Sequence, residues 1–248
     1  MTRAVVVHPD DEALAAAVAA RLLTRLLDVQ SVRSPVHLVL TGGTVGIATL
    51  AAVAASPVRR SVDWSSVHLW WGDERFVPAG HADRNETQAR DALVDALVAE
   101  SGLPAENVHA VPGPDTVGSP EESAAAYAAE LARHADGAAG VPVFDVLLLG
   151  MGPDGHVASL FPGHEGLSAR GTTVGVHGSP KPPPERVSLT FEAINAAREV
   201  WIVAAGAGKA EPVAAALSGA PREEIPAAGV CGTERTLWLL DVAAATPA

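Results

Sequence analysis

A single cysteine, Cys231, stands in 248 residues, so no disulfide can form within the chain. Its neighbours in AAGVCGT are small and apolar, the setting of a buried structural thiol rather than a reactive one. Lysine is almost as scarce. Lys181 and Lys209 are the only two, beside 15 arginines, and such survivors mark places where a compact ammonium is wanted. Basic charge is in deficit throughout, with 17 Lys and Arg against 29 Asp and Glu and a formal net charge of −12. This argues against a general nucleic-acid surface, which needs excess positive charge to displace counterions. A small anionic ligand at a local basic site stays open. No uninterrupted apolar run approaches the ~18 residues of a membrane span. The start, MTRAVVVHPDDE, meets acidic residues after a very short apolar run and does not read as a secretory signal. The expectation is a cytoplasmic protein, monomeric or weakly self-associating, with no nucleic-acid and no membrane partner.

Several catalytic signatures are also missing. The Gly-Gly turn at 42–43 is not followed by Gly-Lys-Ser/Thr, so it is no Walker A loop, and the full dinucleotide fingerprint is absent. There is no G-x-S-x-G nucleophile elbow. The nine histidines form no H-x-x-x-H or H-E-x-x-H pattern. What remains is acid–base chemistry with water, neither covalent nor metal-assisted.

What the chain does have is alternation. Apolar runs at 4–8, 36–40, 67–71, 108–111 and 144–150 read as strands, as do RVSLT, EVWIVAA and TLWLLD further on. Helical spacing runs through 11–27, 45–55 and 85–98, and another helix follows Lys209. Ser119, with Pro120 next and Glu122 three residues on, reads as a capping box. Strands alternating with helices predict an α/β fold with a mainly parallel sheet flanked by helices. The Pro/Gly-rich stretches 112–120 and 171–184 read as loops, too short to be interdomain linkers, so residues 1–248 form a single domain.

Ligands of open α/β sheets bind beyond the carboxyl ends of the strands. Three strands here end in unusual loops. TGGT, Thr41 to Thr44, joins a strand to a helix start, where glycines admit a ligand and free N–H groups attract anions. The plainer reading is a tight turn with Thr44 as N-cap. WWGDERFVP sets Asp73, Glu74 and Arg75 together, either a solvated ion pair or a guanidinium held by carboxylates and aimed at a substrate oxygen. LLLGMGPDGHVASLFPG ends an apolar strand in glycines, Asp154 and His156. A histidine there can take and return a proton, and Asp154 can fix its tautomer. Arg186 and Lys209 lie at element boundaries and, with TGGT, would suffice for a phosphate.

These segments, with RNETQARDAL, SPKPPPERVSLTFEAINAAREVWIVAAGAGKAEPV and LWLLD, run in order from Thr41 to Asp241, about four-fifths of the chain. Taken together they resemble the 6-phosphogluconolactonases of the glucosamine/galactosamine-6-phosphate isomerase/deaminase superfamily. The histidine loop and SPKPPPERVSLT carry most of the resemblance, and TGGT alone carries little. It implies a Rossmann-like fold and hydrolysis of 6-phospho-D-glucono-1,5-lactone to 6-phosphogluconate, the second step of the pentose phosphate pathway, with no metal or organic cofactor. By matching position, the phosphate falls to Thr41, Gly42, Gly43, Thr44, Arg186 and Lys209, with Asp73 counted among the substrate-binding residues. Proton transfer falls to His156, supported by Asp154, and the lactone end to Arg75. Thr41 stands where the family usually has serine, and Val45 and Gly46 replace a more usual polar or proline helix start. Two alternatives remain on the same fold: a glucosamine-6-phosphate deaminase or isomerase, and a catalytically silent sugar-phosphate-binding regulator. The first typically carries an FNEPG-like segment after the histidine loop, where this chain has SLFPG. The second would not need His156.

Overall fold

The computed structural model describes residues 2–135 and 139–246. In chain order the elements begin β1 (Thr2–His8), α1 (Asp11–Gln30), β2 (Val36–Leu40), α2 (Gly43–Ala55), β3 (Val67–Trp71), β4 (Asp73–Arg75). A helix interrupted by one π turn follows: α3 (Asn85–Ala89), the turn Arg90–Val94, and α4 (Asp95–Glu100). Then come α5 (Pro120–Arg133), β5 (Val146–Gly150), β6 (Thr173–Val176), β7 (Arg186–Leu189), α6 (Phe191–Ile194), β8 (Glu199–Ala204), α7 (Ala210–Leu217), β9 (Arg235–Asp241) and α8 (Val242–Ala245).

The main sheet has six strands in the order β1-β9-β8-β5-β2-β3, and every pairing is parallel. Parallel strands covered on both faces need apolar side chains on both. Accordingly β2 and β8 are buried at every position and β5 at all but Gly150. The edge strand β1 is different: Val5 and Val7 are each nearly half exposed. Helix α1 buries Leu14, Val18, Leu22, Leu26 and Val29, a stripe at helical spacing. Asp10 caps it by accepting the Ala13 N–H at 2.8 Å, and Asp11 and Glu12 complement the dipole. No described helix is long and apolar enough to cross a membrane.

The main-sheet strands and the amphipathic helices fall where the periodicity predicts, and the differences have local causes. Strands β4 and β6, each too short for a hydrophobic period, flank β7 in a separate antiparallel sheet and occupy stretches whose composition reads as loop. The segment 108–111 is not a strand. It touches the sheet through one bridge, Val108 to Leu69, and the His109 N–H donates to the Leu69 carbonyl at 2.9 Å. Helix α2 starts two residues early, capped by Gly42, so Thr44 lies inside the first turn instead of capping it. Ser119 does cap α5, but Glu122 reaches back past it to the Gly118 N–H at 2.7 Å, one residue beyond the usual box.

At the amino end of β5 the buried Asp145 joins three segments. It accepts Arg33 Nε at 2.9 Å and the His37 N–H at 3.0 Å, with Arg198 Nε 3.8 Å away. Asp145→Ala strands the His37 amide and the Arg33 guanidinium. The guanidinium is one-third exposed and can rehydrate, so the expected loss is about 1.5–3 kcal/mol rather than that of a fully buried pair. Denaturant unfolding measures it. A loss below the error of the measurement would mean that Asp145 does not hold these segments together.

Candidate active site

The chain leaves β2 toward β3 and leaves β5 the other way, toward β8 and β9, so the sheet changes direction between β2 and β5. A crevice at such a switch point is the usual ligand site of an open α/β sheet. A cleft of about 390 Å³ lies there, lined from the strand ends by Thr41–Gly46, Asp73, Arg75, Gly150–Gly152 and Lys209, with His156, Lys181 and Arg186 from the loops and side sheet. Every residue that the sequence assigns to the site lines it except Asp154, which stands behind His156.

His156 is fixed from that side. Its Nδ1 lies 2.5 Å from Asp154 Oδ1, which places the proton on Nδ1 and leaves Nε2 as the basic nitrogen. The buried Phe161 ring packs against the imidazole, centroids 4.5 Å apart. Burial by itself would raise the Asp154 carboxyl. The hydrogen bond from His156 and the charges of His156 and Lys181 outweigh it and hold Asp154 well below the usual carboxylate range. Gly152 makes the pair possible, because a Cβ there would fall 2.0 Å from His156 Nδ1 and 2.3 Å from Asp154 Oδ1. The glycines of this loop are thus a matter of space for the pair as well as of turning.

Four cations surround the cleft in a protein of net charge −12: Arg75, Lys181, Arg186 and Lys209. Arg75 and Arg186 are register partners on β4 and β7. Burial, then the Lys181 ammonium, lower the Lys209 pKa, with Asp154 opposing. Burial also lowers Arg186, against the pull of Asp73 and with a further push from Arg75. Partly dehydrated cations that repel one another gain most from a multiply charged anion. Asp73 only partly balances them. Its Oδ2 accepts the Ser159 hydroxyl at 2.6 Å and lies 3.9 Å from Arg186 Nη1. On the far side, α2 has no side-chain cap, so its first amides have no side-chain acceptor. Thr41 faces the other way: its Oγ1 accepts the Gly150 N–H at 3.1 Å and ties β2 to β5 across the fork.

A family model described as glucosamine-6-phosphate isomerases/6-phosphogluconolactonase matches residues 9–238. The chain belongs to this family. A relative named 6-phosphogluconolactonase from Streptomyces coelicolor is 55% identical over 250 residues, 99% of this chain and 94% of that one. One of the same name from Mycobacterium tuberculosis is 43% identical over 244 residues, covering 97% and 96%. Among solved structures, the 6-phosphogluconolactonase of Thermotoga maritima aligns with a TM-score of 0.83 at 26% identity over 97% of this chain and 100% of that one. The Trypanosoma brucei enzyme of that name gives 0.82 at 27% identity over 98% of both. A monomeric glucosamine-6-phosphate deaminase shares the fold at 17% identity and a TM-score of 0.78, over 99% of both chains. The Rossmann-like α/β architecture is therefore that of the family.

Two site residues carry no role in the sequence reading. Lys181 Nζ lies 3.3 Å from His156 Nδ1 and 3.6 Å from Asp154 Oδ1. Its signals are its rarity and its place in SPKPPPERVSLT, and both lysines of the chain line this one cleft. Asn85 is buried, donates to the Asp73 carbonyl at 2.8 Å, and leaves its Oδ1 without a partner beside Gly42. It lies in RNETQARDAL, one of the segments of the resemblance, but nothing in that segment gives it a role. Arg186 is also more than a cleft cation. Its Nε donates to the Pro183 carbonyl, and its Nη2 to those of Lys181 and Pro182, at 3.0–3.2 Å. It holds the loop that presents Lys181.

The packing at Gly152 predicts that Gly152→Ala separates His156 from Asp154. Proton NMR of the wild type should show a downfield Nδ1–H resonance sheltered by the carboxylate, and the variant should lose it while staying folded. An unchanged resonance would mean that the loop shifts to admit the methyl group.

Proposed function

We propose that this chain hydrolyses 6-phospho-D-glucono-1,5-lactone to 6-phosphogluconate, the second step of the pentose phosphate pathway, by metal-independent acid–base catalysis at His156. The observation that carries the reading is the His156–Asp154 pair, poised on a cleft ringed by four cations, in a family whose 55%-identical member bears the lactonase name.

The steps follow from the ring's tautomer. With Nδ1–H committed to Asp154, Nε2 takes a proton from water as the water oxygen attacks C1 of the lactone. The imidazolium that forms is stabilised by the Asp154 carboxylate. Negative charge growing on the carbonyl oxygen falls to Arg75, with Lys181 as a second cation beside His156. When the tetrahedral intermediate collapses, the bond from C1 to the ring oxygen breaks. His156 Nε2–H returns its proton to that oxygen, and the histidine is neutral again. The phosphate is held between Lys209, the remaining Nη1 of Arg186 and the first amides of α2, with Gly42 and Gly43 giving the backbone room and Thr41 and Thr44 framing the turn. Anchoring this remote dianion fixes the ring over His156, so that binding energy becomes orientation.

The deaminase alternative has less support. The segment Ser159–Gly163, where such relatives carry a further carboxylate, is buried at Ser159, Leu160 and Phe161, and the Ser159 hydroxyl is spent on Asp73.

His156→Ala should lower kcat roughly 100- to 10,000-fold, the usual effect of losing a positioned acid–base group. The assay follows acid release from freshly generated lactone, with spontaneous hydrolysis subtracted. Near-full turnover would remove His156 from the mechanism. Lys209→Ala should cost roughly 10- to 150-fold in kcat/KM, the fold-change of losing one hydrogen bond to a charged group. On unphosphorylated gluconolactone, a poor substrate, the same variant should match wild type. Equal impairment on both lactones would move Lys209 away from the phosphate.

A further inference from the structure

A second cluster of ionisable side chains lies away from the cleft. His68 is the second residue of β3, His109 follows the Val108 bridge, and His134 caps the carboxyl end of α5. One nitrogen of each ring lies within 4.8 Å of one from each of the others, the one such trio of metal-ligating groups among the described residues. Spacings of 41 and 25 residues separate the three, so no linear motif could announce them. His68 sits at the amino end of its strand, whereas the cleft opens beyond the carboxyl ends.

The rings are spaced for an ion. Three imidazoles bound tetrahedrally at about 2.0–2.1 Å place their ring centroids roughly 5 Å apart. Here the centroids of His68 and His109 are 5.2 Å apart, those of His68 and His134 5.1 Å, and those of His109 and His134 4.6 Å. His68 Nδ1 and His109 Nε2 are 2.9 Å apart, against the ~3.3 Å edge of a tetrahedral site. On binding, these two nitrogens part by a few tenths of an ångström, while the trio, whose nitrogens lie within 4.8 Å of one another, turns and closes on the ion. Glu130 Oε1 lies 2.8 Å from His109 Nδ1, which keeps the proton on that nitrogen and aims the Nε2 lone pair into the trio. A carboxylate behind a histidine in this way is the common outer support of a metal ligand. Trp70 stacks on His109 at 3.8 Å and His37 packs against His68 at 4.9 Å, giving the inner wall. His134 is about one-third exposed, so solvent reaches the trio and can supply a fourth ligand. The carboxylate of Glu130, also 3.5 Å from His134 Nε2 and paired outward with Arg133, offsets part of the ion's charge.

We propose that His68, His109 and His134 form a structural site for a divalent transition ion of the zinc class, supported by Glu130. Three imidazoles suit zinc, nickel or copper and not magnesium or calcium. On binding, the proton on His68 Nδ1 moves by way of solvent to His68 Nε2, so that the ring stays neutral and both lone pairs turn to the ion. The ion would tie together the sheet-edge strand β3, the segment attached to it by one bridge, and the end of α5. It takes no part in the hydrolysis.

The test uses the full-length protein stripped of metal and titrated calorimetrically with Zn²⁺. One equivalent should bind, and Co²⁺ in its place should give the strong visible absorption of a four-coordinate ion. Zinc at a hundred times its Kd should raise Tm by roughly 5–10 °C. His134→Gln, at a partly exposed position, should abolish this equivalent, and Glu130→Gln should weaken it about 10- to 100-fold. His81→Gln, at an exposed histidine elsewhere, should leave it intact. Lactone turnover should be the same in the stripped protein, the loaded protein and His134→Gln. Absence of stoichiometric binding, or binding that His134→Gln leaves untouched, would overturn the proposal and reduce the trio to a cluster held by N–H···N bonds. Turnover that requires the ion would overturn its structural role.

Discussion

Strands β2 and β5 pair at only two positions, Leu38 with Val146 and Val39 with Leu147, and then diverge. The site depends on that short pairing. Had the ladder run on, the strand ends would have closed over the space the cleft occupies. Had it been shorter still, nothing would have fixed the distance between the amides of α2 and the His156 loop. The Gly150 N–H donating to the Thr41 hydroxyl ties the two arms of the fork just beyond the point where backbone pairing ends. Each arm then delivers one half of the proposed chemistry, the uncapped first amides of α2 from β2 and the histidine loop from β5. The side sheet closes the mouth with Arg75 and Arg186.

Charge follows the same division between local and global. At physiological ionic strength a charge is felt over about 8 Å, so a ligand in the cleft experiences the four cations there rather than the −12 of the whole chain. The acidic exterior and the basic cleft are compatible for that reason. Burial first, and then the neighbouring Lys181 ammonium, lower the pKa of Lys209, and an anion beside it would oppose both.

Much of this was legible in the sequence, for identifiable reasons. The core strands announce themselves because a parallel sheet buried on both faces must be apolar along its length, as Val146–Leu149 is. The loops at Thr41 and His156 stand out because glycines cluster at strand ends. Strands β4 and β6 were hidden because three or four residues cannot show a period. The π turn at Arg90–Val94 leaves the apolar positions on one side and so looks like continuous helix. Asn85 and the histidine trio depend on residues far apart in the chain being folded together, which no local pattern encodes. Lys181 was half visible, as a scarce residue type without an assigned role.

Arg186 has a consequence for how this protein can change over generations. Its guanidinium spans three successive carbonyls and still presents a nitrogen toward Asp73 and the cleft. An ammonium has the same charge but a single nitrogen, and cannot serve both ends at once. A drift from arginine to lysine at this position would therefore not be neutral, however alike the two look in a table of residue classes. It would keep the attraction for an anion and release the loop that carries Lys181. On the proposed function, anchoring and catalysis are thus inherited together through one side chain. If Arg186 holds the phosphate as proposed, a descendant that gave up that contact by altering residue 186 would also loosen the loop beside His156. New substrate preference on this scaffold is easier to reach through Lys209, which has no such second duty.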